Sequence, residues 1–566
     1  MFSNLKNDRM DLSGRRDSLI LKIRHMIFYV GLLLVGLSFW SSSEAQEKVF
    51  DDRTGMQWSP VLEWTLENAS IAGNPFDLEA TAVFFHENTG HTIATPLFYD
   101  GNGTWKFRFT GTRTGTWKIR TFSEDGDLEG WTGQVFITEN EDPGVHGFMK
   151  AFGSKWGWQG TESVFIPQYV MGRSPSDYID SEKDIRVEMI LEDIREFVVE
   201  HGFTGFHIHV RGRWFDGNNP DPSVYRVVER FIQQVHQMGG ACHICMWGSD
   251  FSGSGPTSYA GGPMSKTDRR NLYYLAARLG PLPGWSMGYG LDTENGWARP
   301  EEMEAWKSYL EKQMGWDHIL GSRVGYEFRG LSRVEPRPPR PPSNAKRNVP
   351  VADKYMTWLG GDYMGYAGYR PLYPRYREVI QHRPDKPSFE EERYRLRKRD
   401  QYSFKDYTPE LTRRGFWHSA MAGGVANIWG NLLPHNQNDH GSEPYDNKAT
   451  LEVGGATVTI DMKDEIKTYS RFFENRFLKE MDSFYDGPEL RLFVREGRHA
   501  IIYREDCDLV RLHLQGMKGE QPAVAVDTKK PYKEIQIGSY SSGDHTWDAP
   551  YRSDWAISIG DFTSAK

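Results

Sequence analysis

Three cysteines in 566 residues are too few for a disulfide framework. Cys242 and Cys245 form a CxxC pair, but there is no second pair to complete a metal site. The run Ala241-Cys-His-Ile-Cys-Met-Trp247 reads as a buried strand, on which residues three apart point to opposite faces. Two buried free thiols are therefore expected, and no metal. Beyond Trp40 no apolar run is long enough to span a bilayer. An excess of positive charge is also lacking. The 68 Lys and Arg against 77 Asp and Glu leave a net charge of -9, which gives no general attraction to nucleic acid or to an anionic membrane.

Aromatic residues, by contrast, are abundant, with 19 Trp, 27 Tyr and 31 Phe. They suit well-filled β cores, and equally platforms on which the C–H faces of sugar rings stack. The length calls for two to four domains, and the 38% hydrophobic content is enough to bury their cores. The N-terminus reads as a targeting segment: Lys22, Arg24 and His25 precede the apolar run Met26–Trp40, and the small residues Ser43 and Ala45 stand ahead of Gln46. That is the order of a secretory signal, so residues 1–46 are assigned to a signal peptide and leader, with Met26 as an alternative start. An uncleaved membrane anchor is the competing reading of the same run. Arg15-Arg16 lies too far from the apolar run for a twin-arginine signal.

Three compositional regions follow. Residues 47–146 carry short alternating runs, such as Asp77-Leu-Glu-Ala-Thr-Ala-Val-Phe-Phe85 and Thr104-Trp-Lys-Phe-Arg-Phe-Thr110, divided by turn signals such as Asp100-Gly-Asn-Gly103. They predict a β-sandwich. Residues 147–480 repeat helix, glycine stop and strand: Val187–Val199, His201-Gly202, Phe203–Val210, then Ser223–Met238, Gly239-Gly240, Ala241–Trp247. Helix Lys266–Leu279, strand Gly284–Leu291, helix Glu301–Gln313, strand His318–Gly321 and a last strand Ala422–Trp429 continue the rhythm. The fold class is thus α/β, a (β/α)8 TIM barrel flanked by two β-sandwich domains. Arg337–Pro342 reads as a stiff loop of that barrel. Residues 481–566 return to strands and predict the second, C-terminal sandwich.

Two strand-like runs end in carboxylates: Trp285-Ser-Met-Gly-Tyr-Gly-Leu-Asp-Thr-Glu294 and Lys386-Pro-Ser-Phe-Glu-Glu-Glu-Arg-Tyr394. Glu294 and Glu391 lie about three βα units apart, at roughly 30 residues per unit. Carboxylates at two strand mouths are what glycosidic bond cleavage needs, one as proton donor and one as nucleophile or base. Asp292 and Glu294 share a face if the strand persists, with Asp292 as partner or rival. In Glu390-Glu391-Glu392 the nearby Lys386, Arg393 and Arg395 would keep a carboxylate ionised. A solvated acidic patch is the plain alternative; Glu392 ranks after Glu391, and Glu327 after both.

The order of N-terminal β-sandwich, barrel, and a last module ending in Gly543-Asp-His-Thr-Trp-Asp-Ala-Pro550 resembles bacterial apiosidase-like glycoside hydrolases of the retaining clan A. Their C-terminal module is a collagen-binding-type β-sandwich domain. The resemblance covers nearly the whole mature chain. It implies that Glu294 is the acid/base on the fourth barrel strand and Glu391 the nucleophile on the seventh. Thr293 departs from it, standing where many of the clan carry an Asn that contacts the sugar 2-hydroxyl.

His207 and His209 alternate on one strand face with Arg211 and Arg213 beyond them. They are read either as core histidines or as polar substrate contacts, with the arginines suited to a uronate or sulfate. Trp247, Asn427, Trp429 and Arg393 complete the candidate substrate contacts, with His435 beside the last pair. The expectation is a secreted, periplasmic or cell-surface bacterial retaining glycoside hydrolase. It would act on a plant or algal polysaccharide or derived oligosaccharide, with no cofactor, no nucleic-acid partner and no membrane partner beyond anchoring. A non-catalytic carbohydrate-binding or adhesion protein on a barrel scaffold is the alternative. A lyase, needing Tyr, His or Lys bases around an acidic sugar, comes third.

Overall fold

The computed structural model describes residues 48–562 apart from 69–70, 143, 292, 294–296, 324–358, 362–371, 383, 396–408, 431–448, 454–455, 461 and 495–496. Near the N-terminus two sheets face each other. One has five strands in the order Arg53–Met56, Thr132–Thr138, Gly115–Ser123, Ala80–His86, Thr92–Pro96; the other has three, Leu62–Glu67, Thr104–Phe109, Phe98–Gly101. Alternation sends every second side chain into the gap. There Trp64 stacks on Phe107 at 5.2 Å, and Phe84 of the larger sheet stacks on Phe109 of the smaller at 4.0 Å. The Asp100-Gly-Asn-Gly103 signal is a turn in which residues 101, 102 and 103 all have positive φ, which glycine and asparagine tolerate best.

The centre is a curled parallel sheet of eight strands: β1 (Gln168–Met171), β2 (Gly205–His209), β3 (Cys242–Trp247), β4 (Trp285–Gly290), β5 (Ile319–Arg323), β6 (Leu359–Gly361), β7 (Ser388–Arg395) and β8 (Ala426–Gly430). Each pairs with the next, and β8 returns to pair with β1 through Gln168↔Asn427 and Val170↔Trp429. Described helices follow most of these strands: α1 (Val187–Ile194), α2 (Pro222–Gln237), α3 (Lys266–Leu279), α4 (Pro300–Gln313), α5 (Leu372–His382), α6 (Pro409–Met421) and α7 (Lys463–Phe473). Asp221 caps α2 by accepting from Ser223 N, and Ser265 caps α3 by accepting from Asp268 N. Val187–Val199, expected as one helix, is α1 followed by a π turn, Arg195–Glu200. Ala422-Gly-Gly, expected in the last strand, is instead a turn: Gly423 and Gly424 have φ of 135° and 87°, so α6 ends at Met421 and β8 starts at Ala426.

Below the sheet, the strands Met149–Phe152, Lys155–Trp158 and Val164–Phe165 plug one end. Trp156 donates to the Ser388 carbonyl at the start of β7 (2.9 Å) and meets Phe389 edge-on. Toward the C-terminus six strands pair antiparallel in one continuous sheet. Its strands Ala500–His513 and Asp544–Ile559 are long enough to absorb runs that looked like separate strands, with register shifts around Cys507. Cys242, Cys245 and Cys507 are all buried and outside any disulfide, as expected of the first two.

Buried ion pairs join these parts. Arg108 of the smaller N-terminal sheet and Arg278 of α3 both donate to Glu229 of α2 (3.2 and 2.9 Å to Oε2). Burial alone raises the Glu229 carboxyl, but the two guanidinium charges and their hydrogen bonds outweigh it and bring it down to about 2. On the other side, Arg413 and Arg414 of α6 both donate to Asp554, at 2.9 and 2.8 Å. A carboxylate whose folded pKa is depressed stabilises above its ordinary value, here 4.5, and loses that contribution as pH falls toward about 2. Glu229→Gln should therefore cost about 3–5 kcal/mol near neutrality. Urea unfolding should show the gap to the parent narrowing as pH falls below 4.5. A gap independent of pH would contradict this.

Candidate active site

Inward and outward faces of the central sheet can be assigned from packing. Phe206, Ile208, Ile244, Met246 and Met287 join the large cluster against the helices. Tyr169, Met171, Ile319, Phe389, Ala426 and Ile428 meet one another and Trp156 inside. On β2 and β3 the inward positions change in character along the strands. His207 and His243 are paired in register and stack 5.1 Å apart, within 9° of parallel. His209 lies edge-on to His207 at 4.1 Å. His243 Nδ1 lies 2.9 Å from Ser286 Oγ of β4, its register partner on that side. Burial drives the His243 pKa down to about 3, so this imidazole is neutral at physiological pH. Burial likewise pushes the Tyr169 hydroxyl, which faces the same space, far above its ordinary value. The interior is therefore apolar at its plugged end and lined with polar groups further up.

Above this column β2 leads into a tight turn. Val210 N donates to Cys245 O, Gly212 N to Met246 O, and Arg213 N to Val210 O. Arg211 has φ +51°, and its Nη2 lies 3.3 Å from His209 Nδ1.

At the end of β4 the chain is fixed from both sides. Leu291 N donates to Trp247 O, and Leu291 O accepts from Trp297 Nε1 at 2.6 Å. Thr293 is buried and its Oγ1 lies 2.9 Å from Ser322 Oγ on β5. This hydroxyl contact is turned into the protein. Asp292 and Glu294, on either side of Thr293, lie outside the described residues, as do Glu327 and His435. Glu391 and Arg393 are described as backbone positions of β7 only.

That backbone is itself irregular. Phe389 and Glu390 pair with Ala426 and Asn427, whereas the next pairs are Tyr394↔Trp429 and Arg395↔Gly430. Glu391, Glu392 and Arg393 thus stand opposite the single residue Ile428. Such bulges break strand alternation, re-aim side chains, and are frequent beside active sites.

Among the remaining candidate contacts, His207, His209 and Arg211 are brought together. Asn427 and Trp429 are corrected. Trp429 stacks on Phe416 of α6 within 12° of parallel and donates to Gln168 Oε1 at 3.1 Å. Asn427 is fully buried, in register with Gln168, whose own amide reaches Tyr469 of α7. Both therefore belong to the helix-facing layer, because Ala426 and Ile428 take the inward positions of β8. Trp247 is fully buried beside Phe215 and offers no open ring face. His243 and Ser286 were missed. The signal for His243 was its alternation with Cys245 on a strand otherwise read for its thiols. Among the described residues no three potential metal ligands converge.

A family model for a domain of unknown function, DUF5060, matches residues 54–124, within the N-terminal sheets. No curated protein matches the chain. Solved structures do. One, provisionally described as a glycoside hydrolase from Bacteroides vulgatus, is 13% identical; the match covers 90% of this chain and all of that one, with a TM-score of 0.64. Another, described as a glycoside hydrolase, is 12% identical over 74% of this chain and 98% of its own, with a TM-score of 0.51. At such identities the likeness is one of fold.

The corrected place of Trp429 can be tested through stability. Trp429→Ala should cost about 3–5 kcal/mol as a core truncation. Trp429→Phe, losing chiefly the N–H bond, should cost about 1 kcal/mol. Weakened sugar binding with unchanged stability would instead restore the platform role.

Proposed function

We propose that this chain is an exported retaining glycoside hydrolase built on a complete (β/α)8 barrel, with residues 1–46 as its leader and residues 47–146, 147–480 and 481–566 as its three domains. The observation that carries the proposal is the bulge that sets Glu391, Glu392 and Arg393 opposite one residue of β8, three strands from a β4 end tied down at Leu291 and Thr293. The fold shared with proteins described as glycoside hydrolases supports it. So does the polar column of His207, His209 and His243, which suits a sugar better than an apolar ligand.

In this reading Glu294 protonates the leaving oxygen while Glu391 attacks the anomeric carbon. The C–O bond to the leaving group breaks as the bond to the Glu391 carboxylate forms. Water, deprotonated by Glu294, then displaces Glu391 and releases the sugar. The substrate is a plant or algal polysaccharide or an oligosaccharide derived from one.

Glu294→Gln and Glu391→Gln should each lower kcat by roughly 10²–10⁴-fold while preserving folding and sugar binding. Glu392→Gln should have a much smaller effect. Reducing-sugar release from a panel of plant and algal polysaccharides, with circular dichroism as the folding control, measures this. Wild-type rates in both variants would defeat the assignment of these carboxylates, and sugar binding without release in the parent would leave a carbohydrate-binding protein as the better reading.

A further inference from the structure

The loop that joins β3 to α3, residues 248–265, is closed by one carboxyl group. Asp268, in the first turn of α3, accepts from Met264 N through Oδ2 at 2.7 Å and donates its own N–H to Ser265 Oγ at 3.1 Å. Ser265 in turn donates to the Ala260 carbonyl, and Met264 is held at φ +57°, in the left-handed region that its side chain disfavours. The second oxygen of Asp268 is placed differently. The residue is only 3% exposed, and among the described residues Oδ1 has no hydrogen-bond partner. An ionised carboxylate with one oxygen buried and unpaired is costly, whereas the protonated acid has no charge to desolvate.

The surroundings bear this out. Arg269, the next residue, is exposed and donates to Met264 O at 2.6 Å; its charge favours the ionised form. Tyr225 of α2, Tyr289 of β4 and Tyr309 of α4 lie within electrostatic reach, with Asp250 of the loop and Glu302 of α4 near Tyr289. Burial first, and the Asp268 charge with it, holds all three hydroxyls above their ordinary range. Burial also outweighs the Met264 N–H and Arg269 and raises the Asp268 carboxyl to about 6. Tyr289 stacks on Trp297 at 5.8 Å, and Trp297 donates to Leu291 O. Leu291 N donates to Trp247 O, where the loop begins. Both ends of the loop are thus linked to the end of β4.

We propose that Asp268 is a proton-controlled latch: protonated, it holds the β3–α3 loop against the end of β4; ionised, it loosens the loop. Control by the latch over the seat of Glu294 rests on the glycosidase reading above; the latch itself does not. A carboxyl whose folded pKa is raised stabilises fully below its ordinary value, here 3.8, and loses that contribution as pH rises through about 6. One unit below the folded value, near pH 5, the closed loop keeps an advantage of about tenfold, and at pH 8 it has none.

Hydrogen–deuterium exchange of the full-length protein, read by mass spectrometry and corrected for its intrinsic pH dependence, tests the latch without any sugar. Peptides across residues 248–268 should open about tenfold more at pH 8 than at pH 5, with a midpoint near 6, while strand Gln521–Asp527 shows no such change. Asp268→Asn, a neutral isostere, should keep the pH 5 protection at both pH values. If that variant does not fold, Arg269→Gln decides the matter, because removing the cation should move the midpoint upward. Loop protection that is equal at pH 5 and pH 8 overturns the latch. So does a parent-like change in Asp268→Asn, or an unmoved midpoint in Arg269→Gln. No sugar release from any polysaccharide, with the loop change intact, would remove the glycosidase reading and leave the latch. Cleavage with loop protection independent of pH would do the reverse.

Discussion

A parallel sheet that returns on itself has two faces to satisfy along every strand, because successive side chains point to opposite sides and neither side meets bulk water over most of its area. This constraint organises the molecule. The outward set, with Phe206, Ile208, Ile244 and Met246, is apolar and accepts the helices. The inward set is free to change along the strands, provided every polar group finds a partner. It runs from Trp156, Tyr169 and Phe389 near the plug to the imidazoles of His207, His209 and His243. In-register pairing of His207 with His243 and of His243 with Ser286 turns three separate stretches of sequence into one polar level.

The surrounding sheets hold this central unit through a few buried charges. Glu229 between Arg108 and Arg278, and Asp554 among Arg413, Arg414 and Lys529, each face more than one cation in a buried setting. Such clusters contribute little net stability compared with apolar packing, but leaving one member unpaired is expensive. They favour one arrangement of the parts over others. Burial of each carboxylate without its arginines would shift it toward the protonated form, opposite to the direction seen at Glu229.

Much of this architecture could be read from residue order. The helix, glycine and strand rhythm marked β2, β3 and β4 to within two residues, and the alternation in Asp77–Phe85 marked a sandwich strand. Elsewhere the physics left no trace to read. Strands buried on both faces show no alternation, so nothing in Ala-Asn-Ile-Trp told Ile428 apart from Trp429 as the inward residue. Three-residue β6 is too short to carry a pattern. The bulge at Glu391 depends on how β7 meets β8, which no local sequence encodes; strand parity could not choose between Glu391 and Glu392. At the C-terminus, Ala500–Arg504 and Leu509–Leu514 read as two strands, whereas Asp506 takes φ +44° inside the one long irregular strand Ala500–His513.

We propose that two strand ends, one tied through Thr293 and the other interrupted by a bulge, serve a single double-displacement reaction. The stereochemistry of the first product tests that assignment most directly. Proton NMR of the anomeric signals, followed from the first minutes of hydrolysis before mutarotation, should show the product with the same anomeric configuration as the bond cleaved. A first product of inverted configuration would contradict a glycosyl-enzyme at Glu391 and require both carboxylates to act on a water instead.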